Sequence, residues 1–143
     1  MEIFLDAPHN AATIEGTSEL RLNFCKIKSI ACEVLPVAVQ NADTGEVILI
    51  AYANERALLE SIRLRKAVFW STSRNELWHK GKESGNTFTL REIYVNCEQN
   101  SLVYKVSPDR NGICHTSTDG KANDCFYRKL DFKTLALTDA RKK

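Results

Sequence analysis

Val34-Leu35-Pro36-Val37-Ala38-Val39-Gln40, then Asn41-Ala42-Asp43-Thr44-Gly45-Glu46, then Val47-Ile48-Leu49-Ile50-Ala51-Tyr52 is the stretch that sets the fold class. Two apolar, β-branched runs flank a segment whose Asn, Asp and Gly residues favour a turn, which predicts a β-hairpin. Pro36 falls near the start of its run, where a strand tolerates a residue without an N–H. Further on, Val68-Phe69-Trp70, Leu90–Val95 and Leu102–Val106 read as strands, the last two joined by the polar turn Asn96–Ser101. Ser71–Thr87 is polar, contains Gly81 and Gly85, and reads as a loop, as does Ser107–Asp124. One main helix is expected, with Asn54 as its N-cap. Ala57, Leu58, Ile62 and Leu64 form its apolar stripe opposite Glu55, Arg56, Glu60 and Arg63. Its basic end, Arg63-Leu64-Arg65-Lys66, suits a helix C-terminus, and a second, short helix is expected from Thr134. The whole reads as a β-rich α+β domain over 34–130, with an N-terminal arm at 1–33 and a C-terminal tail at 131–143.

At 143 residues the chain has room for one real core but is short for a two-domain enzyme. A net charge of +2 is too small to argue for nucleic acid or a membrane surface. No apolar run approaches the length that spans a bilayer, and Met1–Leu5 lacks the basic and apolar regions of a signal peptide. Five cysteines is an odd number, which suits reduced thiols in a cytoplasmic protein better than a disulfide framework.

Three of those cysteines sit beside polar partners, in Asn96-Cys97-Glu98, Cys114-His115 and Asp124-Cys125-Phe126. Three thiolates with an open fourth position suit a catalytic zinc ion, whereas a structural site closes with four protein ligands. Cys114 and Cys125 stand too far apart in sequence for a zinc-finger pair. The plain alternative is that each is a small buried hydrophobe; it is weakest for Cys114, which a histidine follows in a polar, glycine-containing loop, and it is kept for Cys25 and Cys32. His115, with an unperturbed pKa of about 6.5, suits a general base beside the metal, or equally a loop histidine bonded to backbone.

Trp70 to Asn86 combines two tryptophans, several hydroxyls, Arg74, Lys80, Lys82 and two glycines. That inventory can stack a base and cradle phosphates, although a charged, solvated turn contains the same residue types. It matches neither a P-loop nor a dinucleotide-binding glycine pattern. The His-x-Glu and Pro-Cys-x-x-Cys signature of zinc nucleobase deaminases is also absent.

At the level of whole motifs the sequence resembles the phosphoribosyl-AMP cyclohydrolase family. The resemblance runs from Val34–Val47 and Ala51–Asn54 through Phe69–Arg74 and the central signature Leu77-Trp78-His79-Lys80-Gly81-Lys82-Glu83-Ser84-Gly85-Asn86. It continues with Arg91-Glu92-Ile93, Cys97, Gly112–Thr116 and Cys125–Tyr127, covering roughly residues 34–128. It implies a hydrolase of histidine biosynthesis that opens the N1–C6 bond of the adenine ring of phosphoribosyl-AMP. By the same resemblance Cys97, Cys114 and Cys125 are zinc ligands, His115 is the base, and the site is built across an intertwined homodimer. Ser71, Ser73, Arg74, Lys80 and Ser84 are expected to anchor the substrate's two phosphates, and Trp70, Trp78 and Asn86 to complete the substrate site. One departure stands out. The family writes Asp-Cys-Asp-x-Asp, its magnesium ligands, where this chain has Asn96-Cys97-Glu98-Gln99-Asn100. Three carboxylates become one, which weakens a site for a cation that favours hard, charged oxygens. The loop Thr116–Asp124 is also longer than usual. Besides the cyclohydrolase itself, a paralogue acting on another purine nucleotide or N-heterocycle and a zinc-binding dimer with decayed catalysis fit these residues.

Overall fold

Hydrophobic alternation in four segments builds one sheet. The computed structural model describes residues 18–19, 32–110, 117–118, 121–122 and 125–140. Strands β1 (Leu35–Asn41) and β2 (Val47–Ala53) form the predicted hairpin, and β5 (Phe88–Val95) and β6 (Leu102–Pro108) form a second. The hairpins join through a parallel β1–β6 pairing, Val37 opposite Leu102 and Val39 opposite Tyr104, which gives the order β2-β1-β6-β5. Val37, Val39, Tyr104 and Val106 at the centre of this sheet are fully buried. Pro36 pairs only with Tyr52 on the β2 side, so its missing N–H leaves the β6 ladder intact. The β1–β2 turn is closed by Asn41, whose Oδ1 accepts the N–H groups of Asp43 and Thr44 at 2.9 and 3.2 Å, with Gly45 at φ 79° completing it.

The helix α1 (Glu55–Leu64) begins where Asn54 places it: the Asn54 side chain accepts from Ala57 N–H at 2.9 Å. It ends at Arg65 in the left-handed conformation. The apolar stripe differs from expectation. Ala57 is buried and Leu58 packs against the core, but Ile62 and Leu64 are 41% and 37% exposed, and Ser61 joins Ala57 on the buried face. The Ser61 hydroxyl accepts Val68 N–H at 3.0 Å and lies within 2.9 Å of the carbonyl oxygens of Ala57 and Val68. A hydroxyl that serves the backbone on both sides thus docks the helix on β3 (Val68–Ser71), and sequence hydrophobicity misses it.

Two further expectations are corrected. Ser71–Thr87 is not all loop: β4 (Glu76–His79) pairs antiparallel with β3, and Trp78 packs across it on Phe69 with ring centroids 5.4 Å apart. A cross-strand aromatic pair stabilises so short a hairpin. The tail forms a strand, β10 (Leu137–Asp139), on β9 (Arg128–Leu130), in place of the short helix expected from Thr134. The Asp131 side chain accepts the N–H groups of Lys133 and Thr134 and so closes the intervening turn. Short strands β7 (Ser117–Thr118) and β8 (Lys121–Ala122) pair within the long loop.

Replacing Ser61 by Ala leaves a buried Val68 N–H unpaired. Urea unfolding is expected to show a loss of about 1–3 kcal/mol; a loss within error of zero contradicts this role for the hydroxyl.

Candidate active site

The sheet sets where each thiol sits. Cys97 lies in the turn just beyond β5, at one edge of the sheet, and is exposed. At the other edge, a bulge leaves Ile48 between the pairs Val39–Leu49 and Gln40–Val47. The Ile48 carbonyl accepts Cys125 N–H at 3.1 Å, so the bulge fixes Cys125 outside β2. Cys125 is exposed and not in a disulfide. Level with Ile48, across β1 and β6, is Ile93, and Cys97 stands four positions beyond Ile93. With strands about 4.8 Å apart and a rise of about 3.3 Å per residue, the two cysteines of one chain lie on the order of 20 Å apart. Thiolates sharing one zinc each stand about 2.3 Å from it. Among the described residues no three His, Cys, Asp or Glu side chains converge to hold a metal ion. Cys114 and His115 lie outside the described residues, as does Cys25. Cys32 is half-buried, with Asn54 Nδ2 3.7 Å from its sulfur.

The predicted substrate residues fall into two groups at opposite ends of the β3–β4 hairpin. At the turn end, Ser71 and Ser73 hydroxyls lie 3.4 Å apart, and Arg74 N–H donates to Ser71 Oγ at 3.3 Å. Arg74 also pairs with Glu76 at 3.3 Å. At the open end, where Val68 faces His79, the chain enters the glycine loop. Lys80 N–H donates to Ala67 O, and Gly85 N–H to Gly81 O at 2.7 Å. Ser84 Oγ accepts Asn86 N–H, while Lys80 Nζ donates to Asn86 O at 3.3 Å and sits 4.8 Å from the Phe88 ring centroid. Gly81, at φ 80°, has no room for a side chain, since a Cβ there would stand 2.2 Å from the Asn86 carbonyl carbon. The guanidinium of Arg110 lies over Gly85, 2.7 Å from where a Cβ would be. Sequence reading did not single out Arg110, because its closeness to this loop is created by the β5–β6 pairing. Trp78 and Trp70 are both half-buried on this hairpin, and among the described residues Trp70 Nε1 has no hydrogen-bond partner. Three hairpin positions at about 3.3 Å each separate the two groups by roughly 10 Å.

Around Cys97 the positions of the expected magnesium ligands bond to one another. Asn96 Oδ1 accepts Asn100 N–H and Ser101 N–H, both at 2.9 Å, and Asn96 Nδ2 donates to Asn100 Oδ1 at 2.6 Å. Asn100 Nδ2 donates to Glu98 Oε2 at 3.1 Å. The side-chain oxygens of Asn96 and Asn100, and one carboxylate oxygen of Glu98, are engaged within the turn.

A polar latch holds the base of the loop that leads to Cys114. Asp109 accepts from Lys66 Nζ at 2.6 Å, from Thr87 Oγ1 at 2.6 Å and from Thr89 Oγ1 at 2.5 Å, tying that loop to β5 and to the end of α1. Partial burial alone would raise its pKa, but the bonds from Lys66, Thr87 and Thr89 outweigh that and hold the carboxyl at about 2.

A family model described as phosphoribosyl-AMP cyclohydrolase matches residues 49–127, a span that contains all three polar-flanked cysteines and both groups of substrate residues. The phosphoribosyl-AMP cyclohydrolase of Cupriavidus taiwanensis is 40% identical over 98 residues, 68% of this chain and 70% of that protein. That of Hyphomonas neptunium is 36% identical over 131 residues, 92% of each chain. The histidine biosynthesis bifunctional protein HisIE of Thermus thermophilus is 43% identical over 97 residues, and this chain spans 43% of its length.

The latch gives a pH signature. Because the folded pKa of Asp109 lies below its ordinary 3.8, its contribution is present above that value and is lost as pH falls towards 2. Replacing Asp109 by Asn is therefore expected to lower the melting temperature at neutral pH and to narrow the gap from the native chain between about pH 4 and pH 2. An equal gap at both ends of that range contradicts it.

Proposed function

The chain belongs to the phosphoribosyl-AMP cyclohydrolase family, and from that membership we propose that it opens the N1–C6 bond of phosphoribosyl-AMP in histidine biosynthesis, with zinc held by Cys97, Cys114 and Cys125. The observation that carries this reading is the extent of the family match, which crosses every residue the chemistry needs. Water adds to C6, its oxygen remains there as a carboxamide oxygen, and N1 leaves with a proton as part of an amidine. Zinc, when bound, supplies the Lewis acidity that lowers the pKa of a water to about 7. His115, next to Cys114 in sequence, takes the proton from water and returns it to N1.

The two groups on the β3–β4 hairpin suit a substrate that carries a phosphate at each end. Ser71, Ser73 and Arg74 hold one phosphate at the turn. Ser84 and the backbone of the glycine loop hold the other, with Lys80 keeping that loop closed through Asn86. Trp70 and Trp78 stand on opposite faces of this hairpin, since Trp78 is opposite Phe69 and Trp70 opposite Leu77, so one of the two rings stacks the base within a chain.

A site with three cysteine ligands needs a second copy of the chain, because Cys97 and Cys125 of one chain stand at opposite corners of the sheet. Both corners are bordered by exposed apolar residues: Tyr94 and Val95 precede Cys97, while Val47, Ile50 and Phe126 flank Cys125. In a two-fold homodimer the Cys97 corner of one chain meets the Cys125 corner of the other, twice.

Purified protein is expected to carry about one zinc per chain and to turn over phosphoribosyl-AMP, followed by the absorbance change of ring opening. Cys114→Ser is expected to lose both zinc and turnover. Full zinc retention in that variant sinks the ligand assignment. Absence of turnover in the zinc-loaded native protein sinks the substrate assignment and leaves the paralogue acting on another purine nucleotide or N-heterocycle, or the zinc-binding dimer with decayed catalysis.

A further inference from the structure

The turn that carries Cys97 is held by its own amides where a divalent cation would require carboxylates. Backbone N–H groups can be accepted only by an oxygen, so the two bonds from Asn100 N–H and Ser101 N–H fix which atom of the Asn96 amide is Oδ1. The Asn96 NH₂ must then face Asn100, and the atom receiving it at 2.6 Å must be Asn100 Oδ1. That in turn points the Asn100 NH₂ at the Glu98 carboxylate. The orientation therefore propagates along the three side chains without a free choice at any step. The backbone of the same turn closes through Gln99 N–H on Asn96 O and Asn96 N–H on Ser101 O, with Gln99 at φ 54°. Two N–H-bearing amide groups occupy the space between the three side chains, and one carboxylate supplies all of their formal charge. Magnesium needs near-octahedral oxygens at about 2.0–2.1 Å and dehydrates reluctantly, so this arrangement does not fit it.

We propose that the Asn96–Asn100–Glu98 hydrogen-bond relay replaces a divalent cation as the clamp on the Cys97 turn, so that this chain presents Cys97 without magnesium. Cys97 lies between the first and second members of the relay in sequence, and its exposed thiol is presented by the turn they close. Asn96 and Asn100 are positioning residues. The inference rests on the proposed function only in taking Cys97 as a metal ligand; the state of the turn is independent of the substrate.

The test compares the zinc-loaded full chain with the Asn96→Asp/Asn100→Asp double variant in thermal unfolding, with and without millimolar magnesium chloride. The native midpoint is expected to stay within about 1 °C on adding magnesium. The double variant sets two carboxylates against each other where an amide now donates to an amide oxygen. It is expected to melt about 3 °C or more below the native chain without magnesium and to regain most of that loss with it. A merely structural pair would lose stability with no cation-specific recovery. Equal stabilisation of both proteins by magnesium overturns the proposal, as does a double variant that matches the native chain in magnesium-free buffer. Should the double variant fail to fold, titration of the zinc-loaded native chain with Mn²⁺ followed by paramagnetic resonance decides alone. No saturable binding is expected, and stoichiometric saturable binding that magnesium displaces overturns the relay. These readouts do not involve turnover, so they fail or succeed separately from the phosphoribosyl-AMP assay.

Discussion

The parallel pairing of β1 with β6 welds two hairpins, distant in sequence, into one sheet, and Cys97 and Cys125 take their places at its two edges from that weld. It buries Val37, Val39, Tyr104 and Val106 as a continuous centre. It also places β2 and β5 at the edges. Phe69 stacks on Tyr104 at 5.8 Å and carries Trp78 with it, so the substrate hairpin is seated on the same centre. Burial raises the pKa of the Tyr104 phenol, and the neighbouring Ser61 hydroxyl offsets part of that rise.

The edges are where the soft metal chemistry is expected, and the geometry of a sheet keeps them apart. Cys97 lies just beyond β5 and Cys125 rides outside β2, so the width of the sheet lies between the two thiols. The exposed apolar residues beside each corner are costly in water. In the proposed homodimer, covering one corner with the other would remove that cost and bring Cys97 and Cys125 of two chains together in the same step. The two requirements, burial and ligation, point to the same contact. By contrast, the hard-metal position beside Cys97 is closed within a single chain, by amide hydrogen bonds that need no partner.

Much of this was legible in the residues. Alternation and the Asn-Asp-Gly turn located the β1–β2 hairpin, and the Asn54 cap located the start of the helix, because both signals are local. Three cysteines with polar neighbours are legible as a candidate metal site, which the described residues of one chain do not assemble. The parallel β1–β6 pairing was not legible, since nothing in either strand names its partner. Ser61 was missed because its value lies in two backbone contacts and not in hydrophobicity. β4 was missed because four residues mixing Glu, Leu, Trp and His resemble a polar loop until Trp78 is seen against Phe69. The strand at Leu137–Asp139 was missed for a related reason: the Asp131 turn that creates it uses one side chain to satisfy two backbone groups. At Asn96, Glu98 and Asn100 the sequence revealed the lost charge, while the bonds that fill its place depend on a left-handed residue at Gln99.

The central claim is that one zinc site takes Cys97 from one chain and Cys125 from another. It is tested most directly by co-expressing Cys97→Ser and Cys125→Ser chains under different tags and isolating the mixed dimer. Each variant alone is expected to lack zinc and turnover. The mixed dimer contains one site with both substitutions and one with neither, so it is expected to regain one site, with about half of the native zinc and turnover. A mixed dimer that forms yet remains without zinc contradicts the account, as does a Cys97→Ser or Cys125→Ser homodimer that keeps full zinc.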